Sequence, residues 1–126
     1  DYFFSVNRQA SANYFVDENE IYRVVKDSDS AWHVGANRYY NDARNTNSIG
    51  IEMCCYWNNG KLDVSEKVIS NTIELVKDLM AKYNIPASNV VRHYDVTRKN
   101  CPAPLVENPA RWDDFKARLR RRRFRI

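Results

Sequence analysis

Glycine and histidine are scarce in this chain of 126 residues, which holds three glycines and two histidines, His33 and His93. There is no Gly-rich loop of the kind that cradles a phosphate, and no segment repeats. No apolar run approaches the roughly 18 residues that a membrane helix requires. The opening DYFFSVNRQAS has neither the basic start nor the apolar stretch of a signal peptide, so the chain as given is expected to be soluble and unprocessed. Cysteine is also sparse. Of three, Cys54 and Cys55 are adjacent, which is poor geometry for a bridge and unlike a secreted disulfide scaffold; synthesis in a reducing compartment is expected.

Net charge is less informative than its value of +4 suggests. The stretch RLRRRRFR, residues 118–125, contains six arginines, and without them 14 basic residues face 16 acidic ones. Basic character therefore belongs to the tail rather than to the domain. With 44% hydrophobic and 13% aromatic residues, the chain suffices for one domain with a core. The expected organisation is a domain over residues 1–117 and an Arg-rich tail over 118–126.

Along the chain, SANYFV (residues 11–16) and IYRVV (21–25) are aromatic and β-branched runs separated by polar residues, which predicts a β-hairpin. SIGIEMCCY (48–56) reads as a third strand, with Ile49, Ile51, Met53 and Cys55 on one face and Ser48, Gly50, Glu52 and Cys54 on the other. Glu52 is then the single charged group in a small or apolar strand, a placement that needs a reason. Residues 27–47 form a long polar connection, of a length often associated with function. Residues 65–83 carry apolar positions at three- and four-residue steps, from Val68 to Tyr83, and predict a helix capped by Asp63 and Glu66. A turn and short strand over 86–92 should deliver His93 at its end. After a loop around Pro102 and Pro104, residues 109–121 predict a last helix with Trp112, Phe115 and Leu119 on one face. Interleaved strands and helices give an α/β or α+β class.

The stretch VRHYDVTRKNCP, residues 91–102, concentrates the chemistry. Neutral imidazole and thiolate both ligate zinc at about 2.0 to 2.3 Å, so His93 and Cys101 are candidate ligands, although a lone His and Cys at this spacing are more often unrelated. Lys99 stands two residues before Cys101 and, in an extended loop, leaves from the same side. Asp95 is placed to hold the loop or to orient the imidazole. Metal, carboxylate and ammonium together are the parts of metal-assisted hydrolysis: a Lewis acid, a general base in Glu52, and an oxyanion stabiliser in Lys99. Plainer readings stay open, with Glu52 in a structural ion pair, Trp32 and His33 as packed loop residues, and Cys54 and Cys55 as small strand residues.

HYDVTRKNCP resembles the His-x-Asp-Val-x-x-Lys-x-Cys-Pro segment of the zinc-dependent N-acetylmuramoyl-L-alanine amidases of the type-2 group, which includes phage endolysins and autolysins and is related to peptidoglycan-recognition proteins. SANYFVDENEIYRVV, AWHVGA and NSIGIEMC are similar to the same family in the same order, so the resemblance runs from about Ser11 to Trp112. It implies a central mixed β-sheet flanked by helices, with Zn2+ in a groove that holds a peptidoglycan stem peptide. It further implies that His93 and Cys101 ligate zinc, that Glu52 is the general base, and that Lys99 stabilises the oxyanion. Trp32, His33 and Asn47 would line the groove. The bond cut would join N-acetylmuramic acid to L-alanine. Some members add a tyrosine on the first strand; Ala12 stands at the matching place, which favours the glutamate-based variant.

The family's first zinc ligand, a histidine on an early strand, has no counterpart, since the chain opens at Asp1 inside what should be the following helix. Two expectations compete: an N-terminally truncated sequence that lacks that strand, or His33 or a partner supplying the third ligand. Asn13 stands where many members carry a histidine, and a groove-wall role is expected for it. The runner-up to an enzyme is a peptidoglycan-binding module with an incomplete metal site; a third reading rests on the basic tail alone. The tail reads as a solvated segment, as a patch for anionic envelope surfaces, or as a nucleic-acid contact; Phe124 and Ile126 as its apolar residues favour a membrane-active segment, and no nucleic acid is expected. A monomer made in the bacterial cytoplasm and acting on the wall completes the expectation.

Overall fold

Polar residues set the turns on which this fold is built. In the computed structural model, which describes residues 12–24 and 49–121, Asp17 closes the first hairpin by accepting from the Asn19 and Glu20 amides at 2.8 and 2.6 Å. Strand β1 (Tyr14–Val16) thereby pairs antiparallel with β2 (Ile21–Arg23), Tyr14 opposite Arg23. On its other edge β1 pairs in parallel with β3 (Ile51–Met53), Phe15 opposite Glu52, giving a mixed sheet in the order β2-β1-β3.

Asn13 starts that parallel pairing. It is fully buried, its Oδ1 accepts from the Gly50 amide at 2.9 Å, and its own amide donates to the Gly50 carbonyl at 2.9 Å. The groove-wall role expected for Asn13 is therefore corrected: a short polar side chain here satisfies a buried backbone donor.

The third strand is shorter than expected. After β3 the chain breaks, and Tyr56 belongs to β4 (Tyr56–Asn58), which pairs with β5 (Lys61–Asp63) in a second hairpin. Asn59 and Gly60 both have positive φ, 51° and 80°, the Asn-Gly combination that favours a two-residue hairpin turn. The alternation holds where the strand exists: Met53 is in the core with Ile49, Ile51 and Cys55 packed against it.

Helix α1 (Glu66–Tyr83) presents Val68, Ile69, Thr72, Ile73, Val76 and Leu79 as a buried stripe and lies against β1, β3 and the last helix. The expected Asp63 and Glu66 cap gives way to Ser65, whose Oγ accepts from the Val68 amide at 3.2 Å. Asp63 is engaged elsewhere, by the Val64 amide at 2.8 Å and Arg111 at 2.9 Å. Asn84 ends the helix in the left-handed conformation, and Tyr83 is exposed rather than part of the stripe. Asn71 reaches back to the Asp17 and Glu18 carbonyls, tying α1 to the first hairpin.

No strand forms over 86–92. A 3-10 turn (Ala87–Asn89) is followed by extended residues outside any described sheet, and His93 is the first residue of a short helix, α2 (His93–Thr97). The loop expected after Pro102 contains another, α3 (Ala103–Glu107), and α4 (Pro109–Leu119) closes the chain with Phe115 and Leu119 buried. The arginine run begins inside α4: Arg118 pairs with Glu66 at 2.8 Å, so it is a packing residue and not solvated tail. Among the described residues no helix is long and apolar enough to cross a membrane.

Candidate active site

Two parts of the fold carry the predicted chemistry. The first is β3, where backbone pairing to β1 fixes Glu52 at the middle of the strand. Glu52 is 7% exposed, and its Oε1 is buried. Because Ile51 and Met53 supply the core face, the carboxylate leaves from the opposite face, the one shared with Phe15 across the ladder.

The second part is the His93 to Cys101 loop. His93 opens α2, its Nδ1 is buried, and its carbonyl accepts from Thr97 Oγ1 at 3.1 Å. Arg98, left-handed at φ 67°, ends α2, and the chain turns back so that the Tyr94 amide donates to the Cys101 carbonyl at 2.9 Å. This bond draws His93 and Cys101 together. Cys101 is 5% exposed and belongs to the hydrophobic core that also holds Met53 and Leu105. The loop is closed rather than extended, since the Cys101 amide donates to the Lys99 carbonyl at 2.7 Å. Lys99 is exposed while Cys101 is buried.

Asp95 holds the loop. Its two oxygens accept from Arg92: Oδ2 from the Arg92 amide at 2.8 Å and Nε at 3.2 Å, Oδ1 from Nη2 at 2.8 Å. Lys116, on α4, donates to the Ala87 and Val90 carbonyls and so fixes the approach to His93. Its burial and the nearby Arg120 charge push the ammonium below its usual value. Burial raises the Cys54 thiol and pushes Cys55 up to about 12, so both stay protonated near neutrality and carry no thiolate chemistry.

Neither Arg92 nor Lys116 was singled out from sequence. An arginine three residues before an aspartate at a helix start was the available signal for Arg92; Lys116 reaches its partners across 26 and 29 positions and left none. Trp32, His33 and Asn47 lie outside the described residues. Among the described residues no three His, Cys, Asp or Glu side chains form a metal-sized group. As a donor set, one imidazole and one thiol joined by a short closed loop fit two positions of a tetrahedral zinc site.

This architecture is that of solved amidase and endolysin domains. An endolysin from Bacillus subtilis, solved as a mutant, is 36% identical with a TM-score of 0.71, covering 90% of this chain and 67% of that one. AmiD from Escherichia coli, an N-acetylmuramyl-L-alanine amidase solved with anhydro-N-acetylmuramic acid-L-Ala-D-gamma-Glu-L-Lys, is 30% identical with a TM-score of 0.67, covering 89% of this chain and 49% of that one. The family model for N-acetylmuramoyl-L-alanine amidase, Amidase_2, matches residues 2–104, and the chain belongs to that family. A probable N-acetylmuramoyl-L-alanine amidase of Bacillus licheniformis is 38% identical over 117 residues, 89% of this chain and 32% of its own length. The chain spans about a third of the length of the first curated relatives it matches.

Proposed function

We propose that the protein hydrolyses the amide bond between N-acetylmuramic acid and the L-alanine of the peptidoglycan stem peptide, with zinc as its metal. Family membership and the muropeptide bound by AmiD support the substrate class. The observation that supports the metal reading is the Tyr94 to Cys101 backbone bond, which links the residue after His93 to Cys101 across the loop, and imidazole and thiol are donors zinc prefers. His93 and Cys101 are two of its protein ligands.

When bound, the ion supplies a Lewis acid that polarises the scissile carbonyl and acidifies water. Glu52 takes the proton of the attacking water and delivers it to the departing L-alanine nitrogen. The Lys99 ammonium offsets the negative charge that develops on the carbonyl oxygen. Trp32, His33 and Asn47 act in substrate binding. The arginine run contacts anionic envelope surfaces, and the protein works as a monomer, made in the bacterial cytoplasm and acting on the wall.

Replacing Glu52 by Gln keeps shape and removes the base, so hydrolysis of a soluble muropeptide should fall about 10²- to 10⁴-fold while zinc content is retained. Cys101→Ser should lose the zinc. Near-normal turnover in Glu52→Gln removes Glu52 as the base.

A further inference from the structure

Arg92 immediately precedes His93, and its guanidinium contacts three helices. Within α2 it grips Asp95 with two nitrogens, and Nη1 donates to the Leu105 carbonyl of α3 at 3.2 Å. The guanidinium carbon lies 5.2 Å from the centre of the Tyr94 ring and 5.1 Å from that of Trp112, which α4 stacks on Phe115. The side chain is only 14% exposed. Its position matters because α2 begins with His93 and α3 follows directly on Cys101 and Pro102.

We infer that Arg92 is a positioning residue, whose guanidinium ties the helix bearing His93 to the helix that follows Cys101 and so fixes the separation of the two side chains. The inference rests on the zinc reading of that loop. The Tyr94 to Cys101 bond alone leaves a single hinge between the arms. Arg92 adds a second connection, with a planar fork that matches the Asp95 carboxylate while its guanidinium lies over two rings. Lysine has neither the fork nor the planar face and cannot substitute for it. Partners that orient ligands in this way tune metal affinity without touching the metal.

The test uses the Cys54→Ser, Cys55→Ser background, in which Cys101 is the one remaining thiol of the three. Alkylation of Cys101 by iodoacetamide in metal-free, folded protein reads the opening of the loop. Arg92→Met and Arg92→Lys should each raise that rate at least tenfold. Arg118→Ala, which breaks an ion pair between α4 and α1 away from the loop, should change it less than twofold. In cobalt-loaded protein carrying the native Arg92, a thiolate-to-metal absorption band is expected, and Arg92→Lys should shift it and weaken cobalt affinity at least tenfold. Alkylation at the parent rate in the Arg92 variants overturns the inference, as does full rescue by lysine. So does an increase that merely tracks global unfolding in urea, as Arg118→Ala calibrates it. Failure of the native protein to bind cobalt or zinc overturns the metal reading instead, and the alkylation result separates the two because it needs no metal.

Discussion

Glu52 and the His93–Cys101 pair are held by opposite means. The carboxylate is positioned mostly by main chain, a strand and its parallel neighbour, with one side-chain bond in which Asn13 Oδ1 accepts from the Gly50 amide. The pair sits at the ends of two five-residue helices, too short to stand alone, and beyond the Tyr94 to Cys101 backbone bond it is held by side chains reaching in from α4 and from Arg92. A backbone-held group tolerates change in its neighbours, whereas a side-chain-held loop depends on each of a few long residues.

The comparison breaks most sharply at Leu105, 1% exposed on α3 beneath the loop. Leu105→Ala should cost about 2–5 kcal/mol in urea unfolding, and hydrogen exchange should quicken around 93–101 before it does in β3. Asn13→Ala tests the sheet side, leaving the buried Gly50 amide without its acceptor; about 1–3 kcal/mol is expected, with exchange rising first at β1 and β3. Ser65→Ala, which uncaps the helix packed on β1, β3 and α4, should cost about 1 kcal/mol in urea unfolding.

The smallest effect is pH-dependent. Hydrogen bonds from Arg111 and then from the Val64 amide hold the Asp63 carboxyl below its ordinary 3.8. A depressed carboxylate stabilises the fold above its unfolded pKa, and the contribution fades as pH falls through the folded value. With both partners about a third exposed, Asp63→Asn should cost about 0.5 kcal/mol at pH 7, and the gap from the parent should close below pH 3.8. Paired urea melts at pH 7 and pH 2.5 measure it.

Sequence revealed what period and alternation encode. The stripe of α1, the Phe115 and Leu119 face of α4 and the isolation of Glu52 in β3 were all legible, because each is a local pattern with a physical period. Helices α2 and α3 were not, since five residues hold barely more than one turn. The β4 and β5 hairpin had its Asn59-Gly60 signal, hidden by reading 48–56 as one strand. Of the candidate site the sequence offers residue types alone; the closed loop at Lys99 and the Arg92 and Lys116 anchors depend on contacts that only the folded chain makes.

The parallel pairing of β1 with β3 also sets an order in time. Asn13 and Gly50 meet across 37 positions, whereas the His93 to Cys101 turn closes within one short stretch. Closing the longer span loses more chain entropy before any contact offsets it, so the local turn organises first and the strand register follows. During refolding the His93 to Cys101 turn is therefore formed while Glu52 is still being placed, and in pulsed hydrogen exchange protection around 93–101 should precede protection of β1 and β3.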